Sequence, residues 1–286
     1  MSNLCQMNKK RSLSYMTRTR RLTAALMVAG VLGIAAPAGA MAITKISISG
    51  ATASYPLVSL LAQKYVKLHP NKVKFRIAQG GAQIGINDVK AGKTTIGDVS
   101  RDPLEADTGL VFYPIARYGI CVITNKANSL SNLTTAQAIA IFTGKTRSWS
   151  GVSGATASGT IDLISRTSVA GVLTNFQTVL LEGKKVSTLA AEEPSEGLMR
   201  QQVENDPNSI GFVSNYQSDK GTVNAVGLNG VGCNRSTVIS GQYSGTARFY
   251  EVTKGKATGA ALAFIGWIKA SPVAKKIIAT QWVPIS

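Results

Sequence analysis

Four short stretches hold most of the residues able to grip a ligand. They are Ser49-Gly50-Ala51-Thr52-Ala53-Ser54-Tyr55-Pro56, Gly80-Gly81-Ala82-Gln83-Ile84-Gly85, Gly97-Asp98-Val99-Ser100-Arg101 and Arg166-Thr167-Ser168-Val169-Ala170-Gly171. Each follows a short apolar run. The first, second and fourth lead into helix-like spacing. Their common chemistry is donation: backbone N–H groups at helix starts, a few hydroxyls and the Arg166 guanidinium. Helix N-termini and unpaired amides favour negative charge. A cage of many donors and few carboxylates suits a desolvated oxyanion. Any one stretch alone reads better as a βα connection with ordinary N-cap residues. Their repetition after successive strands favours an anion site.

The same residues argue against other chemistries. His69 is the only histidine, and Pro70 after it marks a helix end. Without a carboxylate–histidine cluster, neither a metal centre nor a Ser–His–Asp triad assembles readily. No catalytic residue, metal ligand or cofactor is therefore assigned. Cys121 and Cys233 are open to two readings: one disulfide in an oxidising compartment, or a buried free thiol at Cys121 in an apolar strand.

The elements that must position these loops are legible along the 286 residues. Residues 1–42 read as a leader and signal peptide. Arg18, Arg20 and Arg21 precede a glycine-interrupted apolar run, Leu22 to Pro37, and small residues at 38–42 offer cleavage sites. Met16 is a candidate start, and an uncleaved anchor is the competing reading. These 42 residues hold six of the 31 basic side chains and no acid, which leaves a net charge of +11 on the rest. Such a charge speeds anion capture. The absence of dense Lys/Arg blocks interleaved with aromatics argues against nucleic acid.

Strand patterns fall at Ile46–Ser49, Val73–Ala78, Thr94–Val99, Val111–Ile115, Gly119–Thr124, Ile161–Ser165, Ser209–Ser214, Val223–Leu228 and Phe249–Val252. Helical spacing follows Pro56, with Leu57, Leu60, Leu61, Tyr65 and Leu68 on one face. It returns near Ile84, after Thr134, after Gly171, after Pro194, and over Ala257–Ala270 and Ser271–Thr280. Gly144 to Gly159 reads as surface loop. Alternating strands and helices imply α/β layering with mainly parallel sheets, ligands gathering at the carboxyl ends of strands.

Taken in order, these loops resemble the phosphate-specific solute-binding proteins of bacterial ABC transporters, in the type II periplasmic-binding-protein-like superfamily. Further likeness lies in Ser165-Arg166-Thr167-Ser168-Val169-Ala170-Gly171-Val172, in Ser209-Ile210-Gly211-Phe212-Val213-Ser214-Asn215-Tyr216, and in Tyr250-Glu251-Val252-Thr253-Lys254-Gly255-Lys256. The resemblance implies a two-lobed α/β fold, with mainly parallel mixed sheets joined by crossover strands near Pro114–Gly119 and Val213–Gln217. Lobe I would comprise residues 43–115 and 217–286, and lobe II residues 116–216. It implies a non-enzymatic, periplasmic or secreted monomer that hands phosphate, or a related oxyanion, to an inner-membrane permease complex. The ligand set carried over is Thr52, Ala53, Ser54, Gly81, Ala82, Ser100, Arg101, Arg166, Ala170, Gly171 and Val172. The match is incomplete. Ala82 and Ala170 stand where the family has Ser, Val172 where it has Thr, and Arg101 where many members have an Asp that accepts the phosphate proton. Arg101, Ser54, Gln83, Ser165 and Ser168 are candidates to compensate, and Asp98 or Asp102 to accept that proton. The losses motivate two alternatives on the same fold: a surface interaction protein with a degenerate site and, less favoured, a secreted phosphatase.

Overall fold

The computed structural model describes residues 43–285, so the leader and signal-peptide expectations lie outside the described residues. The described residues form one compact unit. In its first half β1 (Thr44–Gly50), α1 (Tyr55–Leu68), β2 (Val73–Gln79), α2 (Ala82–Lys90), β3 (Ile96–Val99) and β4 (Leu110–Thr124) succeed one another. Then come β5 (Asn132–Leu133), α3 (Thr135–Phe142), β6 (Asp162–Arg166), α4 (Gly171–Asn175), β7 (Ala191–Glu193), α5 (Glu196–Asn205), β8 (Ser209–Ser214) and α6 (Asn215–Ser218). The chain closes with β9 (Asn224–Leu228), α7 (Arg235–Ser240), β10 (Thr246–Lys254), α8 (Gly259–Ala270), α9 (Pro272–Ile278) and β11 (Val283–Pro284).

The main path of the sheet runs β2-β1-β3-β10-β4-β8-β6-β7. Its ends are parallel: β1 with β2 and β3, β6 with β7 and β8. Its middle is antiparallel, because β10 pairs with both β3 and β4, and β4 with β8. The sequence pattern gives two strands here, Val111–Ile115 and Gly119–Thr124, yet β4 is one strand of 15 residues. Pro114 is tolerated because β-bulge irregularity in the β10 pairing falls beside it, at Phe249/Tyr250. The first part of β4 pairs with β10 up to Gly119, and the rest, from Ile120, with β8 and β9. This one strand therefore ties the two halves of the sheet together at Gly119/Ile120.

The helices start where capping chemistry permits. Thr134 caps α3 through a full capping box with Gln137. Beyond α4 the same helix continues as a π-turn over Phe176–Leu180, which places Phe176 flat against Phe212 with ring centroids 3.9 Å apart. The apolar face read for α1 is only partly buried: Leu57, Val58 and Leu61 are in the core, whereas Leu60 and Leu68 are 44% and 46% exposed. His69 ends that helix, its Nδ1 2.9 Å from Tyr65 O. Cys121 and Cys233 form a disulfide with Cα atoms 5.5 Å apart, which decides between the two readings of the cysteines. Among the described residues no helix is long and apolar enough to cross a membrane.

Candidate functional site

The four loops converge. Residues 51–53 after β1, Gly81 and Ala82 at the start of α2, Ser100 after β3, and Arg166 with 170–172 at the start of α4 line one small cavity. Backbone contacts too close for side chains build it. A Cβ at Gly50, where φ is +146°, would lie 2.0 Å from Asp98 O; the real backbone instead accepts Gly80 and Gly81 N–H on Gly50 O. A Cβ at Gly171 would meet Ser100 Oγ at 2.7 Å and Ala82 Cβ at 2.8 Å. Gln83 N–H donates to Val169 O across the same gap, at 3.0 Å. Opposite walls are thus in contact, and the space of about 150 Å³ is nowhere wide enough for a water-sized sphere.

The polar lining consists of donors. The N-terminal ends of α1, α2 and α4 carry no side-chain cap. Among the described residues the Thr52 and Ala53 amides have no backbone acceptor. Arg166 is 1% exposed. Its Nε donates to Glu193 O at 2.9 Å, and its Nη2 to Pro194 O and to Thr52 Oγ1, both at 3.0 Å. Nη1 is buried with no partner. Burial pushes the guanidinium below its ordinary pKa, and Glu196, Tyr118 and Glu193 push it back up. Glu196 is itself fully buried and accepts from Ser214 N at 2.9 Å and Ser214 Oγ at 2.6 Å. Burial raises its pKa, while Arg166 and Ser214 oppose the rise. A buried arginine with one unsatisfied N–H, facing uncapped helix ends, has the chemistry of a site that lacks only negative charge.

Ser100 is held from behind. Its carbonyl accepts Tyr118 Oη–H at 2.9 Å and Asn175 Nδ2–H at 2.7 Å, which fixes the loop that presents its hydroxyl. Neither Tyr118 nor Asn175 is suggested by local motif, because both come from distant parts of the sequence. Ala51 also lines the cavity; it belongs to the first loop but offers only a methyl group.

Two expected ligands are directed elsewhere. Ser54 does not line the cavity; its hydroxyl donates to Asp98 Oδ1 at 2.5 Å. Arg101 is spent on a buried fork with Asp107, at 2.7 and 3.1 Å, and also donates to Asp102 O and Gln83 Oε1. It therefore does not supply the cleft with a second cation; instead it pins the 101–107 loop to α2. Gln83 is bound to Arg101 in the same way, and Ser165 Oγ donates to Arg166 O. Asp98 is buried under Ser54, and Asp102 accepts from Tyr250 Oη. A roomier groove, of about 1000 Å³ by the same measure, lies elsewhere along β6, where Asp162 and Asp206 outnumber Arg147 in its lining and disfavour an anion.

The match to known proteins agrees with this geometry. The model of the PBP superfamily domain matches residues 35–271, and the chain belongs to that family. Within it, the similarity is to phosphate-binding members. The phosphate-binding protein PstS of Bacillus subtilis is 27% identical over 247 residues, covering 84% of this chain and 81% of that protein. PstS 2 of Streptococcus agalactiae is 37% identical over 111 residues, 38% of each chain. A Clostridium perfringens structure bearing the name of a phosphate ABC transporter substrate-binding protein, solved with bound phosphate, superposes with a TM-score of 0.79 at 28% identity. It covers 85% of this chain and 100% of its own. An ABC-type phosphate transport receptor from Vibrio cholerae, at 24% identity and a TM-score of 0.69, shares the fold over 84% of this chain and 100% of its own.

Proposed function

We propose that this protein is an exported solute receptor that closes around phosphate, or a related small oxyanion, and delivers it to a membrane permease complex of an ABC importer. The observation that carries this reading is Arg166: a buried guanidinium with an unpartnered Nη1, beside a cavity lined by the uncapped starts of α2 and α4 and by the loop before α1, and free of carboxylates. Thr52, Ala53, Gly81, Ala82, Ser100, Ala170, Gly171 and Val172 surround the guest, through backbone N–H groups wherever the side chain is a hydrocarbon. Because the walls touch, loading requires them to part. Residues 43–115 with the C-terminal segment from β10 onward form one lobe, and residues 116–216 with β9, which pairs with β4 and β5, form the other; they hinge where β4 changes partners. The protein works as a monomer outside the cytoplasm, where the Cys121–Cys233 bond is stable. It holds its guest without transforming it.

Calorimetric titration with phosphate, sulfate, arsenate and a phosphonate tests the reading. Saturable binding that Arg166→Ala weakens supports it; absence of heat with all four anions overturns it. One observation favours the degenerate-site alternative. The methyl groups of Ala82, Ala170 and Val172 stand in a cavity too tight for water. Crystals grown in phosphate with that cavity still closed would establish that alternative.

A further inference from the structure

The net charge of the chain after the leader comes from two stretches of sequence. Residues 88–251 carry fourteen basic and fourteen acidic side chains, and so are neutral. Residues 43–87 and 252–285 carry eleven basic side chains and no acid at all. These two stretches, remote in sequence, are neighbours in space. They supply β1, β2, α1, α8 and α9, joined by Tyr65 against Trp267 at 5.2 Å and Phe75 against Phe264 at 4.7 Å. Lys67, Lys74, Arg76, Lys275 and Lys276 are exposed there, with Lys64 half-buried. Leu60, Leu68, Leu262 and Val273 are exposed among them. Shallow grooves of about 480 and 290 Å³ flank α1, share Gln63 and Lys67, and include no acidic residue.

We infer that this α1–β2–α9 face is a docking surface for an anionic lipid bilayer. Three features choose lipid over a protein partner. Ten of the eleven cations are lysine. Lysine is a hydrated point charge suited to a field of headgroup phosphates, whereas protein interfaces favour arginine and are depleted in lysine. The charges are spread over separate elements and are not aimed at one pairing partner. The exposed leucines and valine sit between the lysines, as on surfaces that rest in the headgroup region. The face is separate from the anion cavity, and the inference stands whether or not phosphate binds.

The unit from Met41 to Ser286, whose sheet and core are complete within it, is sedimented with vesicles of 30% phosphatidylglycerol in phosphatidylcholine and with pure phosphatidylcholine. Binding is expected on the anionic vesicles alone. It should fall about tenfold or more between low and physiological salt, because screening removes headgroup attraction. The variant K64E/K67E/K74E/R76E should lose about tenfold more than K126E/K145E/K185E/K220E, which carries the same charge change on the neutral part. Thermal unfolding confirms that both variants are folded. Equal binding to both vesicle types, or equal loss in the two variants, overturns the inference. So does face-dependent binding to a poly-glutamate peptide without binding to vesicles, which would indicate a protein partner.

Discussion

Glu251 lies directly opposite Asp98 on the adjacent antiparallel strands β10 and β3, and both are buried. Neither Glu251 oxygen has a hydrogen-bond partner, while Asp98 accepts from Ser54 and, through its carbonyl, from the Ala51 amide. Burial pushes both carboxyls up, Asp98 to about 7, and Asp98 raises Glu251 further; among the causes for either carboxyl there is no cation. Protonation of at least one of the two avoids a pair of buried negative charges.

A folded-state pKa above the unfolded value means that the folded protein holds the proton more tightly. The stability this confers is fully present below the unfolded carboxylate range and is lost as pH rises through about 7. Melting temperature should therefore drop as pH rises from about 4 through about 7, by the equivalent of about 2–4 kcal/mol. Glu251→Gln, which fixes the neutral form, should flatten that slope. Scanning fluorimetry across pH 4 to 9 decides it; an unchanged slope in the variant rejects the protonated carboxyl pair.

Arg101 makes the opposite point about charge. Its fork with Asp107 is buried at both ends, with side chains 3% and 5% exposed. Removing one partner strands the other. Asp107→Ala should destabilise the fold by about 3 kcal/mol, a typical effect of breaking a buried pair. Arg101→Met paired with Asp107→Leu should be tolerated better than either single change. Since Arg101 does not line the cavity, phosphate affinity of the paired variant should stay within about threefold of wild type. A loss of a hundredfold would return Arg101 to the ligand set. Denaturant titration and calorimetry measure the two effects.

How far the sequence reveals this site depends on the range of the interaction. The loops, their glycines and Arg166 were legible because each is a local pattern: a strand, a small-residue turn, a helix start. The fate of Arg101 was not, since its partner, six residues away, becomes one only when the 101–107 loop folds back. The gap between the strand patterns Val111–Ile115 and Gly119–Thr124 misleads by the same logic. β4 runs through it unbroken because β10, far along the chain, pairs with Ala116, Arg117 and Tyr118. Leu60 fits the helical period but stays exposed because nothing among the described residues covers that turn of α1. The even alternation of strands and helices conveyed layering but not the antiparallel centre, which depends on β10 returning between β3 and β4.

The disulfide closes a sequence separation of 112 residues between β4 and the segment before α7. Loop-closure entropy for a span of that size is worth about 4–5 kcal/mol, less whatever structure the reduced unfolded chain keeps. Replacing both cysteines by serine should lower stability by about 2–5 kcal/mol without altering phosphate affinity, because neither residue lines the cavity. Chemical denaturation with and without reductant gives the first quantity, and a shift below about 1 kcal/mol would contradict the entropic account.

Arg166 and Thr52 meet across the cavity, and they should not matter equally to an anion there. Arg166→Ala removes a charged donor from a desolvated wall and leaves Glu196 buried without its cation, so affinity should fall about a hundredfold or more. Thr52→Ala removes one neutral hydroxyl and should weaken binding about tenfold or less. Equal losses in a phosphate titration would place the anion away from the guanidinium.

Ala170 offers the sharpest test of the missing hydroxyls. It is the N-cap of α4, with φ −81° and ψ 120°, and has no side chain able to bond the first turn. A serine there would find a backbone already in capping geometry. Ala170→Ser should raise stability by about 0.5–1 kcal/mol if the hydroxyl turns to the helix amides. If it turns instead to the cavity, phosphate affinity rises by about tenfold, one charge-assisted hydrogen bond, with stability unchanged. The two outcomes compete for one oxygen, so melting curves measured with and without phosphate separate them. A variant that gains neither shows that the tight wall around the start of α4, where Gly171 already abuts Ser100 and Ala82, excludes the hydroxyl.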